Sequence, residues 1–194
     1  MKNLLKLSAL SLLIVATMAF TIKAVKPVPQ KGQWISLFDG KTLKGWHGYN
    51  KTGAVKNWDI EEGALVCLGA AKDASGGDIV SDKKFANFEL KWEWKVNKGS
   101  NSGVMYHVQE GPKWHESKPL KLADNAIGEW NSFHIIMKDD KVTVYLNGVL
   151  VVDNVVMDNY WDRKLPIFPK EQIELQAHGN HVYYRDIYLK ELPE

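Results

Sequence analysis

Cysteine is almost missing from this chain. Cys67 stands alone among 194 residues, so no intrachain disulfide is available to brace the fold. It sits in Ala64-Leu65-Val66-Cys67-Leu68, an apolar strand pattern in which cysteine acts as a small buried residue. A thiol nucleophile needs a basic, partly exposed neighbourhood, and nothing local supplies one. An excess of either charge is missing too: Lys and Arg total 25 against 23 Asp and Glu, a net +2, with the basic residues scattered. That balance argues against nucleic acid or an anionic membrane as partner. No glycine-rich phosphate loop and no GxSxG elbow occurs. No histidine pair has zinc spacing: His107 and His115 are eight apart, and His178 and His181 are three apart across a turn. There is no convincing helix, no internal repeat and no low-complexity stretch.

Long hydrophobic runs are also lacking, with one short exception. Lys2 and Lys6 precede an apolar run from about Leu7 to Phe20, short of the ~20 residues a membrane span needs. The pattern fits a secretory signal peptide over residues 1–24, followed by a linker over 25–33 that carries Pro27 and Pro29. One domain then occupies 34–194, with no transmembrane segment once the signal is removed. No cysteine lies near the cleavage region, so a lipid anchor is not expected. The expected location is periplasmic or extracellular. Mature protein should begin after Ala19 or Ala24, and N-terminal sequencing of secreted material checks this; a start at Met1 would contradict it.

Aromatic residues are plentiful, with 8 Trp and 7 Tyr. Such rings fill β-sandwich cores, and they also stack on sugars. Short segments of alternating hydrophobicity recur, separated by Gly, Asn and Asp. Trp58–Ile60 leads through Glu62-Gly63 into the Leu65 strand. Over Phe85–Val96, Phe88, Leu90, Trp92, Trp94 and Val96 share one face, and Glu89, Lys91, Glu93 and Lys95 share the other. Further strands are expected over 103–109, 131–138, 142–146, 149–152, 173–177 and 182–189. Asn147-Gly148 is a strong hairpin turn. This pattern predicts an all-β sandwich or jelly roll. The stretches 110–129 and 153–170 are irregular, holding Trp114, His115 and Trp161, and are expected as long loops rimming a cleft.

If Gly179-Asn180 is a two-residue turn, His178 faces His181, Gln176 faces Tyr183 and Glu174 faces Arg185, all on one face. That register puts Ile187 and Leu189 on the polar face with Arg185, a fault repaired either by a bulge or by Arg185 sitting partly buried against Glu174.

The motifs in order are Trp34-Ile35-Ser36-Leu37-Phe38-Asp39-Gly40-Lys41 with Leu43, Gly45 and Trp46; Gly77-Asp78-Ile79-Val80 with Asn87-Phe88-Glu89-Leu90; Gly99-Ser100-Asn101-Ser102-Gly103-Val104; Gly128-Glu129-Trp130-Asn131; Leu146-Asn147-Gly148; Leu175-Gln176-Ala177-His178-Gly179; and Tyr184-Arg185-Asp186-Ile187. Taken together, over residues 34–192, they resemble the 3-keto-disaccharide hydrolase domain family. The resemblance implies a concanavalin A-like jelly-roll sandwich of two antiparallel sheets with sugar on a concave face. It also implies cleavage of glycosides already oxidised to a ketone at carbon 3. Such a ketone acidifies the carbon-2 hydrogen. Its removal gives an enolate that expels the carbon-1 substituent, and water then adds. That route calls for a general base and an enolate stabiliser, not the paired carboxylates of ordinary glycosidases.

On that reading His178 is the base, since histidine titrates near neutrality. Arg185 holds the enolate oxygen or a sugar hydroxyl, and Glu89 is a second base or a partner of His178 or Arg185. Gln176, Asn101, His107, Trp114 and Trp161 are the candidate substrate-binding residues. No cofactor is required, although a divalent ion is an alternative stabiliser to Arg185. The partner is an oligosaccharide or glycoside substrate. Three departures from the family pattern stand out. Ala177 replaces an Asp, His107 replaces an Arg, and the segment 112–129 is shortened. They keep a second reading open, a non-catalytic exported carbohydrate-binding β-sandwich domain; an adhesion or scaffold domain shares the fold.

Overall fold

The structure is a computed structural model that describes residues 32–52, 55–69, 77–108, 123–159, 162–179 and 181–194, with backbone alone for 105–108. Among these residues there are twelve strands and no helix. In chain order they are β1 (Trp34–Ser36), β2 (Trp46–Gly48), β3 (Trp58–Glu61), β4 (Ala64–Cys67), β5 (Ile79–Ser81), β6 (Phe88–Val96), β7 (Val104–Val108), β8 (Asn131–Lys138), β9 (Lys141–Leu146), β10 (Val149–Val156), β11 (Gln172–Leu175) and β12 (Val182–Glu191). They form two antiparallel sheets. The larger has the order β10-β9-β8-β6-β12-β4-β3, with β1 also on β12, and the smaller has the order β2-β5-β11-β7.

Alternation decides which side chains fill the space between the sheets. Along β6, Phe88, Leu90 and Trp92 are buried while Lys91 between them is exposed. From the smaller sheet, Ile79, Ile173 and Leu175 meet them at 0–1% exposure, in one cluster with Leu65, Met137, Tyr184 and Leu189. Burying an aliphatic or aromatic side chain of this kind stabilises by about 1.5–3 kcal/mol. Cys67 lies in this core at 0% exposure, and burial pushes its thiol up from the ordinary value, as expected of an inert structural cysteine.

Hairpin chemistry sets the register at three places. Asn147 and Gly148 adopt φ of 50° and 76°, and Glu62 and Gly63 adopt 49° and 78°, so both are two-residue turns with two left-handed positions. They align Leu146 with Val149 and Glu61 with Ala64. Between β8 and β9, Asp139 has φ 54°, and the Asn87 side chain accepts its backbone N–H at 2.7 Å.

The expected hairpin across Gly179-Asn180 does not form. β11 belongs to the smaller sheet and β12 to the larger, so this connection crosses the sandwich. The bulge, by contrast, is present. Register shifts between Arg185 and Tyr188, with Asp186 at φ 52° as the inserted residue. The extra residue returns Ile187 and Leu189 to the core at 2% and 0% exposure, on the same side as Tyr184.

Candidate active site

The end of the smaller sheet gathers three segments far apart in sequence. Chain leaving β11 continues beside the start of β7: the Gln176 N–H donates to Gly103 O at 3.0 Å. The Ser102 hydroxyl donates to Gln176 O at 2.6 Å and lies 2.5 Å from the Tyr184 hydroxyl. The Ala177 N–H donates to Asp78 Oδ1 at 2.6 Å. Gln176 and the Ser102–Gly103 segment therefore meet, pinned by backbone bonds and by a fully buried tyrosine, with Asn101 and His178 next along the two chains. Burial raises the Tyr184 hydroxyl's pKa, so it stays protonated and able to donate.

Two of these contacts are close approaches to a glycine, and at Gly69 the neighbour is backbone. A Cβ on Gly103 would fall 2.6 Å from Gln176 Oε1, and one on Gly69 only 2.1 Å from Gly179 O. Gly69 also has φ 99°. Asn57 holds the neighbouring backbone, donating to Gly69 O at 3.1 Å and accepting the Gly77 N–H at 3.0 Å.

On β11 the polar residues alternate with the core residues Ile173 and Leu175, so they face away from the sandwich interior. Yet Gln172, Glu174 and Gln176 are only 5%, 1% and 8% exposed. Three buried polar side chains in a row differ from an ordinary solvent face, because burying a polar group costs free energy unless it is bonded. Gln172 donates to Ser81 O at 3.0 Å. Val80 lies opposite Glu174 on one side, Met105 lies opposite it on the other, and His47 pairs with Val80. His178 is partly buried and Asn101 exposed.

Glu89 and Arg185 do not join this group. They lie on the outer face of the larger sheet, because β12 pairs with β6 and not with β11. Arg185 Nε and Nη2 both reach Glu93 Oε2 at 2.6 Å, and its guanidinium lies 3.8 Å from the Trp130 ring centroid. Glu89 accepts from Lys190 and lies 2.9 Å from His134 Nε2. Burial raises the Glu89 carboxyl, but the Lys190 and His134 contacts outweigh it and hold the group below its ordinary 4.5. A carboxylate so stabilised is a poor base.

A depressed carboxylate contributes stability above its unfolded pKa and loses it as pH falls through the lower folded value. The Glu89 contribution is thus complete above pH 4.5 and fades below it. Glu89→Gln should lower the melting temperature at pH 7 and shrink the gap to wild type on acidification; thermal melts from pH 7 to 3 check this, and a gap that widens in acid would contradict it.

The His107 backbone is the extra residue where Gln172 pairs with Val108 and Ile173 with Tyr106; its side chain, Trp114 and Trp161 lie outside the described residues. No group of three metal-ligating side chains is assembled among the described residues. No helix there is long and apolar enough to cross a membrane.

Two antiparallel sheets enclosing one core, with no helix among the described residues, make this a concanavalin A-like all-β jelly-roll sandwich. It superposes on the Bacillus licheniformis β-glucanase with TM-score 0.58 at 10% identity, covering 84% of this chain and 99% of that one. The 3-keto-alpha-glucoside-1,2-lyase-like domain model matches residues 33–125 and 110–190, and the chain belongs to that family. It is 48% identical over 88 residues to a 3-keto-disaccharide hydrolase of Bacteroides thetaiotaomicron, a match covering 43% of this chain. The chain spans 30% of that relative's length. A Parabacteroides distasonis crystal structure described as a "putative glycosyl hydrolase" is 28% identical with TM-score 0.68, covering 82% of this chain and 94% of the other.

Proposed function

We propose that this protein acts on carbohydrate and cleaves glycosides bearing a ketone at carbon 3, at the end of the smaller sheet. One observation carries the assignment: two motif blocks about 75 residues apart, Asn101–Gly103 and Gln176–Gly179, are joined by the Gln176–Gly103 backbone bond and the Ser102 hydroxyl. Both belong to the ordered motif set, and they meet where the β7–β11 ladder, with Val104 opposite Leu175, runs on past its last pair.

In this reading His178 takes the proton from carbon 2 of the keto sugar. The electron pair forms the enolate, the carbon-1 to oxygen bond breaks, and the leaving sugar oxygen gains a proton. Water then adds across the carbon 1–carbon 2 double bond, restoring a free 3-keto sugar. Gln176 and Asn101 orient the sugar through their amides, which both donate and accept. Asp78, bonded to the Ala177 N–H, brings a carboxylate beside the residue where the family pattern carries its own Asp. Arg185, committed to Glu93 on the other sheet, has no part in this site.

The test is a 3-keto disaccharide in D2O, with and without a chelator. Release of both sugars with deuterium at carbon 2 of the keto product is expected. Loss of turnover with chelator, restored by a divalent ion, assigns enolate stabilisation to a metal. Failure to release either sugar under any of these conditions overturns the proposal.

A further inference from the structure

The outer face of the larger sheet carries a depression of about 560 Å³, within the range of small-molecule sites. It lies on β6, β8, β9 and β12, across the sandwich from Gln176 and His178. The face is unlike an ordinary solvated strand surface. The His134 and Tyr145 rings stack at 5.8 Å and 25°, and Tyr188, 41% exposed, lines the same depression. Trp34, 40% exposed, extends the aromatic surface beyond it, 6.4 Å from His134, with Lys91 Nζ 4.5 Å from its ring centroid.

Polar groups converge on the same hollow: Lys91, Glu93, Ser132 and Asp186 line it. Arg185 binds Glu93 through Oε2, fixing the carboxylate at the edge of the hollow. The bulge at Asp186 re-aims the β12 backbone there, and bulges recur beside sites for this reason. Rings that offer an apolar face, next to a fixed carboxylate, a hydroxyl and an ammonium, match a pyranose. Its C–H face stacks on aromatics and its hydroxyls take charge-assisted hydrogen bonds.

We propose that this depression is a second, non-catalytic site for a neutral pyranoside, independent of the cleavage site and needing no ketone. Isothermal titration of the full chain with maltose, cellobiose and lactose tests it. At least one should bind saturably, to wild type and to His178→Ala alike. Tyr145→Ala and Tyr188→Ala should each weaken binding by about tenfold, the order of one lost ring contact, and Tyr145→Phe should retain it. If Tyr145→Ala fails to fold, Tyr188→Ala decides, since that side chain is largely exposed. Binding by none of the three sugars overturns the proposal. So does binding that His178→Ala abolishes while both tyrosine-to-alanine variants leave it unchanged.

Discussion

Replacing His178 with alanine should lower turnover of a 3-keto glycoside by about 10²-fold or more, the usual worth of a positioned acid–base group. The melting temperature should barely move. His178 lies beyond the last residue of β11 and is only partly buried, so its loss opens little core. Asn101→Ala, on an exposed loop residue, should act chiefly through KM, as expected of a group that orients the sugar and transfers no proton. Steady-state kinetics with the purified variants check both. Full activity in His178→Ala would remove that residue from the reaction. Glu89 is no ready substitute, because it faces away from Gln176 and is held ionised by Lys190 and His134.

Gly69→Ala should be the most destabilising single methyl addition near the site. The new Cβ would stand 2.1 Å from Gly179 O, a backbone atom that cannot rotate away, at a residue with φ 99°. Strain in that backbone region costs about 1–3 kcal/mol, and overpacking a further 1–3 kcal/mol or so. The expected fall in melting temperature is roughly 5–15 °C for a domain of this size. Because the clash displaces the backbone carrying His178, turnover should fall even in the fraction that remains folded. A thermal melt within 2 °C or so of wild type would show that the chain relaxes there freely.

Much of the fold is legible in the sequence because period-two alternation and two-residue turns are local. Asn147-Gly148 and Glu62-Gly63 are correctly read as turns, and the Phe88/Leu90/Trp92 face is correctly read as core. Even the faulty alternation at Ile187 and Leu189 pointed to the bulge that Asp186 supplies. What alternation cannot reveal is which sheet a strand enters. Gly179-Asn180 has the composition of a hairpin turn, yet it carries the chain between sheets, and this alone separates Arg185 from His178. The three-residue strands β1, β2 and β5 are too short to show a period. On the larger sheet's outer face, His134 and Tyr145 carry no sequence signal because they alternate with core residues as any surface residue would. Only the β6–β8 and β8–β9 registers bring them beside Glu89 and Lys91. Gln176, His178 and Asn101 are candidates from motif order alone. The roles of Ser102, Asp78 and Gly69 emerge only from bonds and contacts that span about 70–110 residues of sequence.

The most direct measurement compares a 3-keto disaccharide with its unoxidised parent under identical conditions. Only the ketone makes the carbon-2 proton removable by a single histidine, so the protein should cleave the keto sugar and leave the parent intact. Cleavage of both at similar rates would contradict proton abstraction at carbon 2 and point to a direct hydrolytic site.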